Sequence, residues 1–143
     1  METKLQISRY FDSPVETVFA AWTQAEQLKR WHAPGDITVG SAEVDLKVGG
    51  RYRIEMLHPE ESGGDKSIVS GEYLEIEPNR RLVYTWGWEG PERAETLVTL
   101  QFAAKENGTE LTLTHERFAT EEARDKHQFG WNGCLDKLQS QLN

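Results

Sequence analysis

The spacing of apolar residues changes three times along the chain, and each change predicts a switch between strand and helix. Leu5 and Ile7 alternate with polar residues, which predicts an opening strand, and two short helical patterns follow it. From about Ile37 to Phe118 the period is two, which predicts an unbroken run of strands. From about Thr120 the period is helical, which predicts one long amphipathic helix to the C-terminus. One helix cannot fill all the concave space beneath a large antiparallel sheet, so the sequence predicts a cavity.

Two helices are predicted after the first strand because helix-start signals occur twice. In Ser13-Pro14-Val15-Glu16 the serine hydroxyl can accept from the amide of Glu16, and proline is tolerated at the first helical position. Thr23-Gln24-Ala25-Glu26 repeats the capping-box pattern, which predicts that the first helix ends there and a second one begins. His32-Ala33-Pro34-Gly35 then marks the end of the second helix.

Glycine pairs and asparagine mark the turns between the predicted strands. Gly49-Gly50 is a turn after a strand, and Asn107-Gly108 is typical of a tight hairpin, in which these two residues supply both positions of positive φ. The strand before Gly49 is predicted to place four apolar residues on one face, namely Ala42, Val44, Leu46 and Val48.

Residues two apart on a strand share a face, so each inward apolar run also predicts inward polar neighbours. The polar residues placed inward in this way are His58, beside Ile54 and Met56; Glu72, beside Leu74 and Ile76; and His115 and Arg117, beside Leu111 and Leu113. Apolar cavities with a few convergent polar groups are the usual form of small-molecule sites.

An aromatic strand and one face of the last helix complete the predicted site. Tyr84, Trp86 and Trp88 alternate along one strand, and His127 and Trp131 face them from the helix. Together the predicted ligand-binding residues are Ile54, Met56, His58, Glu72, Tyr84, Trp86, Trp88, His115, His127 and Trp131. Each of the polar ones has a plainer interpretation, since a single polar residue on an apolar face is more often satisfied by a neighbouring backbone group or by water.

Glu72 is the strongest polar candidate because it lies in the middle of a predicted strand, where an unpaired carboxylate is costly to bury. In a dry site its pKa should rise, or Arg117 or a histidine should pair its charge. Such a carboxylate can act as a general acid or base, or it can anchor a hydroxyl or amine of a ligand. On this hypothesis Glu72→Gln alters ligand binding more than it alters folding.

The composition and net charge of the chain exclude several classes of partner and site. The 143 residues fit a single domain, residues 1–143, and the formal net charge of -8 argues against a nucleic-acid or anionic-membrane partner. No stretch is long and apolar enough to span a bilayer or to act as a signal peptide, so the cytoplasm is the expected location. Cys134 is the single cysteine, and the four histidines lack the spacing of metal ligands, so neither an internal disulfide, a metal site nor a cofactor is predicted.

Five segments resemble one known family in the same order: 13–23, Leu28 to Trp31 with Pro34, 45–50, 82–86, and Gly130-Trp131 with Leu135 and Leu138. The chain resembles the activator of heat-shock protein 90 ATPase homologues, within the START-like (SRPBCC, birch-pollen-allergen-like) superfamily. That resemblance implies a helix-grip fold of the α+β class, in which a curved antiparallel sheet of six or seven strands wraps around the C-terminal helix and an apolar pocket. Lipid carriers, hormone receptors, cyclases and hydrolases share this superfamily, so the fold does not fix the function.

Three functions follow as hypotheses. The first is a non-enzymatic module that binds a small apolar or aromatic molecule. The second is an enzyme in the same pocket that performs proton-transfer chemistry, such as cyclisation, dehydration or hydrolysis, with Glu72 and a histidine. The third is a co-chaperone-like domain that binds a protein, although the eukaryotic co-chaperone carries a larger N-terminal region that nothing here resembles. A homodimer stays open because Phe129 lies on the polar side of the predicted helix.

Overall fold

Strands and helices follow the predicted order in the computed structural model, which describes residues 3–60, 64–91 and 94–142. The helices in the described residues are α1 Val15–Thr23, α2 Ala25–Trp31 and α3 Glu121–Leu142. The strands are β1 Thr3–Phe11, β2 Thr38–Val44, β3 Arg51–Leu57, β4 Lys66–Glu77, β5 Arg81–Trp88, β6 Thr96–Lys105 and β7 Gly108–Phe118.

All seven strands of the described residues form one antiparallel sheet in the order β1-β7-β6-β5-β4-β3-β2. Each strand from β2 to β6 pairs with the next strand along the chain, while β1 pairs with β7 and forms one edge of the sheet. Because α1 and α2 connect β1 to β2, they carry the chain from one edge of the sheet to the other. The predicted α+β helix-grip fold is confirmed.

The long helix α3 is held most firmly near its C-terminal end, by the edge strand β1. Arg9 forms an ion pair with Asp136 at 2.9 Å, and the amide of Gln139 donates to the carbonyl oxygen of Tyr10 at 2.6 Å. The predicted amphipathic character of the last helix is confirmed, because Trp131, Cys134, Leu135 and Leu138 are buried along one side of α3. Holding the second half of α3 on the sheet edge leaves space under its first half.

Both predicted capping boxes are wrong, although each helix begins within one residue of its predicted start. The hydroxyl of Ser13 donates to the carbonyl oxygen of Leu142 at 2.8 Å, at the end of α3, and so does not cap α1. The hydroxyl of Thr23 donates back to the carbonyl oxygen of Phe19 at 2.9 Å, and α2 likewise has no side-chain cap. Tertiary contact with α3, and the preceding turn of α1, satisfy these hydroxyls instead.

Two further predictions, one about the length of a strand and one about a turn, also need correction. Strand β2 ends at Val44, so Leu46 and Val48 lie on the loop and are exposed rather than on its inward face. The β6–β7 hairpin is present, but its two central residues are Glu106 and Asn107, and Glu106 takes the positive φ of 56°. Gly108 is needed for a different reason, because a Cβ there would lie 2.2 Å from the carbonyl oxygen of Phe11.

Candidate functional site

A cavity of about 310 Å³ lies under the first half of α3. Strands β3, β4 and β5 form its floor, and the segment that follows α2 closes one side. Six of the predicted site residues line it: Met56, His58, Trp86, Trp88, His127 and Trp131. The predicted hollow between helix and sheet is therefore confirmed.

Other residues of the cavity wall were not predicted as site residues. The segment after α2 contributes His32, Pro34 and Ile37, strand β4 contributes Ser67, and α3 contributes Lys126, Gly130 and Cys134. Lys126 is exposed, and it is the one lysine, arginine, aspartate or glutamate among the described lining residues. The wall is thus almost uncharged, with one cation at the mouth.

Ile54 and Tyr84 lie deeper than predicted. They line a separate void of about 10 Å³, together with Trp22, Leu28, His32, Tyr52 and Tyr73. Burial raises the pKa of the Tyr84 phenol well above its ordinary value, and the neighbouring Tyr73 adds to the shift. The phenol rings of Tyr73 and Tyr84 therefore stay uncharged, and they form part of the core beneath the larger cavity.

The inward orientation predicted for Glu72 is wrong. Strand β4 buries Val69 and Tyr73, so Glu72 faces outward, where its carboxylate lies 3.9 Å from the guanidinium of Arg51 with 44% of the side chain exposed. A register shift between Tyr73 and Glu75 then reverses the phase of the strand. Leu74 is consequently exposed, and only Ile76 returns towards the core.

A second irregularity removes Arg117 from the predicted site. Three residues of β1, Thr3 to Leu5, lie opposite four residues of β7, His115 to Phe118, which is the arrangement of a β-bulge. Arg117 adopts a positive φ of 75° there and its side chain is exposed. Phe118 is buried in its place.

Two tryptophan–histidine pairs stand beside the cavity. The indole Nε1 of Trp88 donates to Nε2 of His127 at 3.0 Å, while Nδ1 of His127 donates to the carbonyl oxygen of Ala123 at 2.7 Å. The indole of Trp131 donates to Nδ1 of His115 at 3.0 Å. Each accepted bond assigns the tautomer, because the accepting nitrogen of a neutral imidazole carries no proton.

A hydrogen-bond chain continues from His115 into the sheet. Its Nε2 donates to the hydroxyl of Thr96 at 2.7 Å, and that hydroxyl donates to the carbonyl oxygen of Trp86 at 3.1 Å. Burial lowers the pKa of His115 to about 2, with His127 adding to the effect, and burial also lowers the pKa of His127. His115 lies behind the cavity wall, fully buried, and both its nitrogens are occupied.

These bonds bear directly on acid–base chemistry. Neither His115 nor His127 has a free ring nitrogen with which to take a proton from a ligand, and Glu72 lies outside the cavity. His58 is half-buried at the mouth, where its Nε2 shares a hydrogen bond with the hydroxyl of Ser67 at 2.8 Å. The predicted combination of Glu72 with a histidine is therefore not assembled.

His32 is the most deeply placed histidine among the cavity residues that the sequence analysis missed. Only 2% of it is exposed, and burial lowers its pKa to about 4, so the imidazole is uncharged at neutral pH. Its ring centroid lies 5.5 Å from that of Trp131 and 5.8 Å from that of Trp86. The sequence signal that could have identified His32 is its position four residues after Leu28. That spacing places His32, just past the end of α2, on the same buried side as Leu28.

A close contact between α3 and the segment after α2 shapes the cavity wall. A Cβ on Gly133 would lie 2.8 Å from Cβ of Pro34, closer than ordinary contact, so the helix needs glycine at this point. A Cβ on Gly130, one turn earlier, would lie 4.0 Å from Cγ of Pro34. Gly133 thus permits close approach, whereas Gly130 leaves open space in the cavity.

Two further observations limit the chemistry of the described residues. No group of three or more histidine, cysteine, aspartate or glutamate side chains is arranged to hold a metal ion within them. None of the helices in that part of the chain has the length and apolar character needed to cross a bilayer.

Comparison with known proteins supports the fold at full length. A protein from Chromobacterium violaceum shares 25% identity and a TM-score of 0.88, with 97% of this chain and 96% of that one covered. The AHSA1 protein from Silicibacter pomeroyi shares 27% identity and a TM-score of 0.86, with coverage of 98% and 97%. An AHSA1-like protein from Aeromonas hydrophila shares 25% identity and a TM-score of 0.78, with coverage of 96% and 90%.

No curated protein matches the sequence. The model of the family described as Activator of Hsp90 ATPase homolog 1-like protein matches residues 12–143, nearly the whole chain. With that match and the helix-grip fold around an apolar cavity, this chain belongs to the Activator of Hsp90 ATPase homolog 1-like family.

Proposed function

We propose that this protein binds a small, uncharged, largely apolar molecule in the cavity between α3 and the sheet. The observation that carries the proposal is the cavity itself, about 310 Å³ in volume and walled mainly by aromatic and aliphatic side chains. Ligand sites are typically about 300–1,000 Å³ and predominantly apolar. The volume lies at the lower end of that range, which favours a molecule of two or three rings.

The aromatic wall supports a flat ligand. Trp86 and Trp131 are buried with their ring centroids 5.0 Å apart, and Trp88 stands at right angles to Trp86 at 5.6 Å. Large rigid rings provide apolar contact area at low cost in side-chain entropy, and they present flat faces to a planar molecule. The hydrogen bonds that Trp88 donates to His127 and that Trp131 donates to His115 fix two of these rings in place.

A cavity-filling substitution tests the proposal with the uncharged fluorescent probe N-phenyl-1-naphthylamine. Gly130→Leu points a side chain into the open space that Gly130 leaves, and we expect it to weaken probe binding at least about tenfold, or 1.4 kcal/mol. Gln128→Leu is the matched control, since Gln128 is exposed on the same helix. Absence of saturable binding to the unmodified protein, or equal binding by both variants, would contradict the proposal.

Native mass spectrometry of freshly purified protein addresses the natural ligand. We expect a fraction of the protein to carry a small molecule that is lost from Gly130→Leu and retained by Gln128→Leu. A bound mass that both variants retain equally would place that molecule outside the cavity.

Location and protein partners stay predictions. We expect the protein in the cytoplasm, as its sequence suggests, and we expect no effect of added protein on a chaperone ATPase in a mixed assay. The homodimer hypothesis rests on Phe129, which is 82% exposed on α3. Sedimentation of the unmodified protein and of Phe129→Ser tests it, since a shared monomer mass removes that hypothesis.

A further inference from the structure

The small void beneath the cavity is lined by two residues that each carry a buried polar atom without a partner in the described part of the chain. The indole Nε1 of Trp22 and the Nδ1 of His32 make no hydrogen bond within the described part of the chain. Both residues are at most 3% exposed, and their ring centroids lie 6.3 Å apart at nearly right angles. Buried polar groups are almost always hydrogen-bonded, and a buried indole usually finds an acceptor. Two lining residues with unpartnered polar atoms therefore suggest that a polar group binds at this void.

The void has room for one polar group. Its volume of about 10 Å³ is close to the minimum needed for a single hydroxyl-sized or water-sized group. Tyr73 and Tyr84 complete its wall, with their ring centroids 6.0 Å apart. No lysine or arginine is among the described residues that line it, so an anionic group would find no counter-charge there.

His32 connects this void to the larger cavity, because its ring lines both. The imidazole therefore stands as a partition between the two spaces, at the position where α2 ends. If this one side chain turned, the apolar cavity would continue into a polar blind end.

We propose that the void is the polar subsite of the ligand cavity, and that it takes a neutral hydroxyl group at the end of a flat aromatic ligand. This inference rests on the proposed function, since the aromatic body of the ligand occupies the larger cavity. The hydroxyl oxygen accepts from Nε1 of Trp22, which can only donate, and the hydroxyl proton is donated to Nδ1 of His32. A phenol-like or naphthol-like compound is the corresponding ligand class.

A matched pair of probes separates this inference from the proposed function. Naphthalene and 2-naphthol have the same fused rings and differ by one hydroxyl. In an apolar cavity without a polar subsite, the hydroxyl weakens binding because it loses its hydrogen bonds to water. With the subsite we expect 2-naphthol to bind about tenfold more tightly than naphthalene, measured by NMR titration of the indole proton signals.

Substitutions then locate the effect. Trp22→Phe removes the donor, and we expect the preference for 2-naphthol to fall to about onefold or below. Trp88→Phe is the matched control, because its indole already bonds to His127; it can weaken both probes but should keep their ratio. In the unmodified protein, the Trp22 indole proton should shift downfield with 2-naphthol and not with naphthalene, which tests the contact without any variant.

The outcomes are distinct. Binding of naphthalene that Gly130→Leu abolishes, with no preference for 2-naphthol, overturns the subsite and leaves the proposed function standing. A preference that survives Trp22→Phe, or an unshifted Trp22 indole proton, also overturns it. If neither probe binds, the proposed function fails and the subsite fails with it.

Discussion

Replacing Gly133 by alanine tests how rigidly the cavity wall is built. The new Cβ would lie 2.8 Å from Cβ and 3.3 Å from Cα of Pro34, which belong to a ring and a backbone that cannot simply rotate away. Gly130→Ala is the matched change one turn earlier, where the nearest atom is Cγ of Pro34 at 4.0 Å. Both substitutions make the same chemical change in the same helix, so their difference isolates the contact with Pro34.

The magnitudes follow from two opposing effects. Alanine in place of glycine inside a helix stabilises it by about 1 kcal/mol. Overpacking a tight contact costs about 1–3 kcal/mol. We therefore expect Gly130→Ala to stabilise the fold by about 1 kcal/mol and Gly133→Ala to leave it unchanged or destabilise it by up to about 2 kcal/mol.

Urea denaturation followed by tryptophan fluorescence measures the difference. A common slope against urea concentration would show that the two variants expose the same surface on unfolding, so the midpoints report stability alone. If Gly133→Ala raised the midpoint as much as Gly130→Ala, Pro34 would be free to move and the close contact would not shape the wall.

Three further predictions concern the buried histidines, the outward-facing Glu72 and the strained Arg117. Since the pKa values of His115 and His32 fall to about 2 and about 4 from 6.5 in the unfolded chain, the unfolded chain binds more protons below pH 6.5. Each should therefore remove up to about 1.4 kcal/mol of stability per pH unit as the pH falls from 6.5 towards its folded value, and a urea midpoint constant between pH 7 and 5 would refute this. Glu72→Gln should change the free energy of unfolding by no more than about 0.5 kcal/mol and should leave the affinity for N-phenyl-1-naphthylamine unchanged, because the side chain faces outward. A loss of binding would return Glu72 to the site. Arg117→Gly should be at least about 1 kcal/mol more stable than Arg117→Val, because a β-branched residue is strained at a φ of 75°, and equal stabilities would show that the bulge relaxes.

Local spacing was sufficient for the elements and for much of the cavity wall. The change from period two to helical period places α3, and alternation along β3 and β5 places Met56, Trp86 and Trp88 on the inward face. These signals lie within a few residues of one another, and the strands concerned continue without a break through those positions. Their interpretation therefore required no knowledge of the rest of the chain.

Irregular positions defeated the same reasoning. The register shift after Tyr73 puts Ile76 and Tyr73 on one side although they are three residues apart, so counting back from Ile76 assigned Glu72 to the wrong face. The bulge at Arg117 had the same effect at the end of β7. A bulge adds one residue to one strand, which inverts every side chain beyond it, and the apolar pattern alone does not reveal it.

The sequence by itself determined the order and type of the elements, the family and the apolar character of the interior, because those depend on residue spacing within single segments. Only the tertiary structure decided that Ser13 bonds to the end of α3, that Pro34 rests on Gly133, and that His32 divides the interior into two spaces. Each of these arrangements depends on residues far apart in the chain, which are brought together when α3 packs against the sheet and the segment after α2. The contacts of β1 with the C-terminal end of α3 leave space under the first half of the helix, and no local sequence pattern encodes contacts between such distant segments.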